Sequence, residues 1–361
     1  TVNPERLLSS NPRVASAAHT TPVSLEAFMF TPLIFKPLYR QYLWGGRRFQ
    51  SLLGRKLEQP GPYAESWEIV DHGSDQSIVR YGPLTGKSLG ELMREDPQAL
   101  TGISTPSTFP LLFKFLDAHK VLSVQVHPDD QAASQRTPPD RGKTEAWYVV
   151  EAEPGSKIYA GLRAGIDEPT LRQAITAGTC EEVLHVIEPK VGDCIFIPAG
   201  TVHAIGAGLV IAEIQQSSDI TFRLFDWNRV DNNNTPRALH LDEGIEATRF
   251  LGPVKLSPKK STTDPAVRRL VECPYFFFDE VLPTLAWSTA GNCCEIIAVL
   301  SGEVRLPSDW NLPTLQKGDC VLFPAELQPQ SLSCQPDDLN NPHLLRVTVP
   351  SPRREMTEKN T

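Results

Sequence analysis

Apolar residues in this chain come in short runs broken by proline and glycine, with few long amphipathic stretches. With 32 Pro and 23 Gly in 361 residues, that punctuation predicts a mainly β fold with a few short helices. In VLSVQVH (121–127), Leu122, Val124 and Val126 alternate with Ser123, Gln125 and His127. Side chains two apart on a strand share a face, so Gln125 and His127 project together while the valines pack behind them. Pro128 ends that strand, because it cannot donate to a ladder. TEAWYVV (144–150) is a second strand, rich in aromatic and β-branched residues, with Glu145 near its start. DCIFIPAGTVHAI (193–205) reads as strand, tight turn, strand, and delivers His203 just past the turn.

Three helices stand out against this background. Residues 88–100 space Leu89, Leu92, Met93 and Leu100 helically, and Ser88 with Glu91 forms a capping box. Residues 128–134 begin with Asp129 and Asp130, favourable at a helix N-terminus. Residues 167–184 start with an Asp cap and Pro169, and Gly178 breaks the pattern.

An internal repeat sets the expected architecture. KVGDCIFIPAGTVHA (190–204) and KGDCVLFPAELQPQS (317–331) share Gly-Asp-Cys, an apolar strand and Pro-Ala. Upstream, WYVVEAEPGSKI (147–158) matches IIAVLSGEVRL (296–306), and the 167–184 helix accounts for the longer first copy. Two such units predict two small antiparallel β-barrels, or jelly rolls. The expected order is a flexible extension (1–30), a metal-binding domain (31–250), a degenerate second β domain (251–350) and a loose tail (351–361). Aligned on Gly-Asp, His203 falls opposite Pro329, and Glu145 opposite a stretch near Asn292 with no ligand set.

Composition narrows the function classes. A net charge of −8 with no basic stripe argues against nucleic acid. No apolar run approaches the ~20 residues of a membrane helix, and the N-terminal stretch has no continuous apolar core of a signal peptide. Seven Cys, an odd number without a Cys-x-x-Cys pair, fit a reducing cytoplasm rather than a disulfide framework. Gln125, His127, Glu145 and His203 form a mixed N/O donor set suited to Zn²⁺, Fe²⁺ or Mn²⁺.

These residues sit within a longer series: QYLWGG (41–46), YAESWEIVDH (63–72), FPLLFKFLDA (109–118), SVQVHPDD (123–130), GKTEAWYVV (142–150), IPAGTVHAIG (197–206) and QQSSDITFRLFDWNR (215–229). In that order they resemble the type I mannose-6-phosphate isomerases, zinc-dependent cupin enzymes, in their short bacterial form. The resemblance spans about residues 32 to 350. It implies one Zn²⁺ per chain on Gln125, His127, Glu145 and His203, and catalytic or substrate roles for Lys114, Lys143, Asp219 and Arg223. It also implies a sugar-phosphate substrate, with interconversion of mannose 6-phosphate and fructose 6-phosphate through an enediol. The N-terminal thirty residues have no counterpart in the short family members, and the large helical insertion of the long members is absent.

The residues add detail to that reading. Lys114 lies alone in an apolar strand and needs an anionic partner if it points inward. Lys143, two residues before Glu145, shares its face on an extended chain. Gln215, Asp219, Thr221 and Arg223 are expected to alternate along one strand face, with Asp219 and Arg223 about 13 Å apart. Arg223, Asp219 and Lys143 are the catalytic candidates. Lys114, Trp44 and Glu65 are the substrate-binding candidates, with Tyr63 and Trp67 as further wall residues, and a core role is equally open to each of these aromatics. The general base stays open among Asp219, a ligand-held group and metal-bound water. A monomer or weak homo-oligomer is expected, with no nucleic-acid or membrane partner. Two other functions remain: a cupin metal oxidoreductase using iron and oxygen, and a non-catalytic sugar-binding cupin. Gln125 and the Lys/Arg set weigh against the first, and the intact ligand set against the second.

Overall fold

A computed structural model describes residues 30–104, 107–230, 234–291, 293–337 and 340–350. The expected N-terminal extension, but for Phe30, and the C-terminal tail lie outside the described residues. Strands dominate, all antiparallel, with short helices between them.

The first half holds a six-stranded sheet in the order Cys194–Ile197, Glu145–Ala152, Leu209–Gln216, Leu111–Ala118, Glu65–Ile69, Leu38–Arg40. A five-stranded sheet faces it, ordered Leu184–Ile187, Ile158–Leu162, His203–Ile205, Val124–Val126, Phe222–Phe225. Leu116, Trp147, Ile195 and Ile211 from one and Ile158, Ala160, Ile187 and Ile205 from the other share a core. The second half repeats the plan with a six-stranded and a three-stranded sheet. The two large sheets then pack on each other through Phe113, Phe115, Tyr148 and Ile214 on one side and Phe278, Ile296, Ala298 and Val347 on the other. Their central strands are therefore buried on both faces, which explains near-continuous apolar runs such as Leu111–Ala118.

The expectation of two barrels is corrected: the sheets are open. Strand Leu38–Arg40 ends one sheet and Phe222–Phe225 another without pairing across. On the opposite side the 253–257 segment bridges the two sheets, donating from Ser257 N to Cys194 O on the edge strand of the six-stranded sheet and from Val254 N to Ala160 O on the second strand of the five-stranded one. The outer face of the five-stranded sheet is covered by helices Glu168–Ala177 and Leu241–Ala247, through Leu171, Ile175 and Ile245.

The predicted helix over 88–100 is two helices, Leu89–Glu95 and Pro97–Thr101. Pro97 has no N–H to continue the first, and Asp96 closes that helix and caps the next by accepting from Ala99 N. The Ser88–Glu91 capping box is present. Asp129 caps Asp130–Ser134, and Asp167 caps Glu168–Ala177. That last helix ends at Gly178, φ +75°, where an L side chain would be strained.

The repeat is visible as hydrogen bonds. Gly192 N and Val149 N bond to Val149 O and Asp193 O; Gly318 N and Val299 N bond to Val299 O and Asp319 O. This register corrects the alignment above. Glu145 pairs with Ile197 and Glu295 with Phe323, so Glu295, not the stretch near Asn292, is the counterpart of Glu145. The difference of three residues comes from the loop lengths, which the Gly-Asp alignment alone does not reveal.

Candidate active site

Period-two alternation sends Lys114, Glu145 and Glu213 to the inner face of the six-stranded sheet, while their neighbours Phe113, Ala146 and Ile214 face the seam. His203 pairs in register with Gln125 on the opposing sheet. The inner faces thus bring a donor cluster to one end of a cavity of about 280 Å³.

One ligand atom each of His127, Glu145 and His203 lies within 4.8 Å of the others, and all three residues are buried. Glu145 Oε2 stands 3.6 Å from His127 Nε2, and Oε1 stands 3.3 Å from His203 Nε2. The imidazoles are oriented from behind: His127 Nδ1 meets Ile220 O at 2.8 Å and His203 Nδ1 meets Thr201 O at 2.9 Å. Each Nδ1 therefore carries the proton and each Nε2 presents its lone pair to the centre. Burial pushes both pKa values down, His203 to about 4 and His127 well below the ordinary value, so both rings are neutral at pH 7. Glu145 Oε2 is buried and accepts no hydrogen bond, its one close cation being the Lys143 ammonium among the described residues. This neutral-imidazole and carboxylate set fits a divalent cation. Gln125 Nε2 sits 3.2 Å from His203 Nε2; ligation through Oε1 requires the amide turned over.

A second charged group adjoins the first. Lys114 Nζ lies 3.4 Å from Glu65 Oε2 and 3.3 Å from Glu213 Oε1. Trp67 Nε1 donates to Glu65 at 2.5 Å and Trp147 Nε1 to Glu213 at 3.1 Å. Burial works against the Lys114 charge, but Glu213, Glu65 and Glu145 outweigh it and raise its pKa. Burial pushes Glu213 up to about 7, with Lys114 opposing. Lys143 Nζ reaches Glu145 Oε2 at 3.2 Å and His127 Nε2 at 3.1 Å.

The structure brings the sequence candidates to one place. Trp44, Glu65, Lys114, Gln125, Lys143, Glu145, Asp219 and Arg223 line the cavity, with His127 and His203 against its floor. One expectation is corrected: Gln215, Asp219 and Arg223 do not share a strand. Gln215 is the penultimate residue of strand Leu209–Gln216, Asp219 is exposed in the following loop, and Arg223 is on Phe222–Phe225 of the other sheet. Gln215 Nε2 donates to the carbonyls of Gln216 and Ser218, which folds the chain over between the sheets. Tyr63 and Trp67 take the core alternative: Tyr63 is buried in the seam core and Trp67 packs with Val70 and Leu112. Sequence reasoning missed Glu213, Trp147 and Arg237. A lone acid in LVIAEIQQ carries the same signal as the lone lysine in LLFKFLDA, and the two pair directly in register.

The family model for the catalytic domain of type I phosphomannose isomerase matches residues 33–153. Mannose-6-phosphate isomerase of Streptococcus mutans is 36% identical over 306 residues, 82% of this chain and 93% of that protein. Mannose-6-phosphate isomerase ManA of Bacillus subtilis is 35% identical, over 81% and 93%. A crystal structure of the Bacillus subtilis mannose 6-phosphate isomerase superposes with a TM-score of 0.78 at 28% identity, covering 88% of this chain and 99% of that one. With its inward-facing His/Glu/His cluster and a fold shared over nearly the whole of that relative, this chain belongs to the type I mannose-6-phosphate isomerase family.

Proposed function

We propose that this chain is a zinc-dependent isomerase that interconverts mannose 6-phosphate and fructose 6-phosphate. The observation that carries the reading is the meeting of His127, Glu145 and His203 with the Glu65–Lys114–Glu213 group in one cavity of a chain of this family. Gln125, His127, Glu145 and His203 would hold the metal, which supplies a Lewis acid for the sugar's carbonyl and hydroxyl oxygens. Zinc is favoured by the two imidazoles and one carboxylate.

The reaction moves a proton between C1 and C2 through an enediol, so it needs a cation near the developing oxyanion and a group that holds the proton. Lys143 and Lys114 present ammonium groups beside the carboxylates, and Arg223 presents a guanidinium from the facing sheet. Asp219, on the loop whose Ile220 carbonyl orients His127, stands exposed on the wall as a proton acceptor. Trp44 and Glu65 shape the wall and select the sugar's hydroxyls.

We read each pair of open sheets as a cupin-like sandwich, with a metal-binding domain over 31–250 and a degenerate one over 251–350. We further read the protein as a cytoplasmic monomer or weak homo-oligomer. Cys180, Cys194, Cys273, Cys294, Cys320 and Cys334 are free thiols, which supports a reducing compartment. Among the described residues no helix is long and apolar enough to cross a membrane.

A coupled assay of mannose 6-phosphate to fructose 6-phosphate tests the function, with metal-stripped and Zn²⁺-restored protein side by side. Zinc-dependent turnover is expected. One bound metal without turnover in either sample would overturn the isomerase reading, and oxygen uptake with iron would move it to an oxidoreductase.

A further inference from the structure

Lys143 is buried, with Nζ 3.2 Å from Glu145 Oε2 and 3.1 Å from His127 Nε2. A long flexible stem gives an ammonium group little direction of its own, so this placement depends on where the main chain is held. The main chain is held at three successive N–H groups. Gly142 N donates to Asp130 Oδ1 at 2.8 Å, Lys143 N to Pro128 O at 3.0 Å and Thr144 N to Gln216 Oε1 at 3.0 Å. Gln216 Nε2 donates in turn to the same Asp130 Oδ1 at 2.9 Å. Asp130 therefore fixes both neighbours of Lys143, one directly and the other through the Gln216 amide. The approach is close: a Cβ on Gly142 would stand 2.5 Å from Asp130 N, so only glycine fits.

The other oxygen of this carboxylate is held from the second half of the chain. Tyr275 Oη donates to Asp130 Oδ2 at 2.7 Å. Tyr275 sits in the turn between strands Val267–Glu272 and Phe277–Val281, where Cys273 N donates to Phe276 O, and its ring packs on the core that the two halves share. Neither Asp130 nor Tyr275 lines the metal cavity.

We infer that Asp130, braced by Tyr275 of the second half, is the positioning residue that holds Lys143 for catalysis. This rests on the isomerase reading above. A carboxylate that accepts three hydrogen bonds is fixed in one orientation. A shift of about 1 Å in the 142–144 backbone would carry the Lys143 ammonium away from the developing oxyanion. Asp130 thus acts on the chemical step through the Lys143 main chain and leaves the ground-state contacts of the sugar in place. Among the described residues the second half has no cluster of metal ligands of its own. Its part in the reaction is to supply the fixed post against which Asp130 stands.

The test uses the full-length, zinc-loaded protein. Asp130→Ala is expected to lower kcat for mannose 6-phosphate about 100-fold, with KM within about threefold of the parent. Asp130→Asn keeps an oxygen that accepts from Gly142 and Gln216, so it should recover kcat to within about tenfold of the parent. Tyr275→Phe removes one bond of the three and should lower kcat about fivefold. Hydrogen exchange reads the tie without turnover: the 142–144 amides should exchange at least about tenfold faster in Asp130→Ala, with strand Leu111–Ala118 unchanged. Asp167→Ala, which uncaps helix Glu168–Ala177 outside the site, controls for a purely structural loss and should leave kcat and the 142–144 exchange within about twofold. A folded Asp130→Ala protein with kcat within about threefold of the parent, or with unaltered exchange at 142–144, would overturn the inference. A fall in kcat that only tracks lost zinc would overturn it as well. If Asp130→Ala does not fold, Tyr275→Phe decides, and parental kcat and exchange in that variant overturn the inference. Faster 142–144 exchange in Asp130→Ala, with no turnover even in the parent, would uphold the tie and sink only the isomerase reading.

Discussion

The two halves carry the same ladder with the charges exchanged. In the first, Lys114 pairs with Glu213 across neighbouring strands and also meets Glu65. At the matching register in the second, Asp279 pairs with Arg346 and also meets Arg269. A cation between two carboxylates has become a carboxylate between two guanidiniums. Glu145 and Glu295 likewise occupy one position, yet Glu145 faces two imidazoles while Glu295 accepts from the backbone of Ala290 and Gly291. Trp287, under the Arg346 guanidinium at 5.5 Å, packs into the second core. The difference shows how one ladder serves two ends. Titratable amines and acids around open space keep reactive charge available, whereas guanidiniums and an indole lock charge into a packed core.

The sharpest way to break the comparison is at the shared glutamate. Glu145→Gln should lower kcat by about 1000-fold or more and release the metal, whereas Glu295→Gln should leave kcat/KM within about threefold. Metal analysis beside the coupled assay checks both.

The exchanged charges come next. Asp279→Asn strands Arg269 and Arg346, which cannot shed their protons, and should cost about 3–5 kcal/mol in denaturant unfolding with activity per folded molecule unchanged. Lys114→Met leaves Glu65 and Glu213, which can protonate, so the stability loss should be roughly half as large while activity collapses.

The pH dependence of the metal-free protein sharpens the contrast. His203 has a folded pKa of about 4 against 6.5 unfolded, so its contribution to stability grows as pH rises from 4 and is complete above 6.5. Glu213 has the opposite sign. Its folded value of about 7 lies above 4.5, so its contribution is complete below 4.5 and is lost as pH rises through 7. Glu213→Gln should therefore gain in Tm relative to the parent between pH 5 and pH 7.5. Glu280, at the seam, differs again: burial pushes it up, but bonds from His343, Lys259 and Tyr148 bring it down to about 2. The smallest effect is expected there. Tyr148→Phe removes the 2.9 Å bond that joins the halves through Glu280 and should cost about 1 kcal/mol in the same unfolding experiment.

Much of the fold was legible because its signals are local. Alternation placed Gln125 beside His127, and Gly178 ended its helix where the spacing failed, whereas the Asp96–Pro97 break that splits the expected 88–100 helix went unread. The Gly-Asp-Cys repeat announced two related halves, since the same turn and strand recur wherever the same ladder forms. The metal-ligand candidates were legible for a similar reason: strand ends beside prolines and turns have few uses for paired imidazoles.

Register between distant strands was not legible. The Lys114–Glu213 pair joins residues almost one hundred positions apart, and only the sheet order makes them neighbours. The same holds for the fold-over at Gln215 that leaves Asp219 on a loop and Arg223 on the facing sheet, and for the 253–257 segment that bridges the two sheets without strand pairing. The sequence by itself determined which residues could bear charge or bind metal and the short elements that carry them, because side-chain chemistry and backbone propensity act locally. The tertiary structure decided which of those charges meet, because burial and Coulomb energy depend on distances that only long-range packing sets.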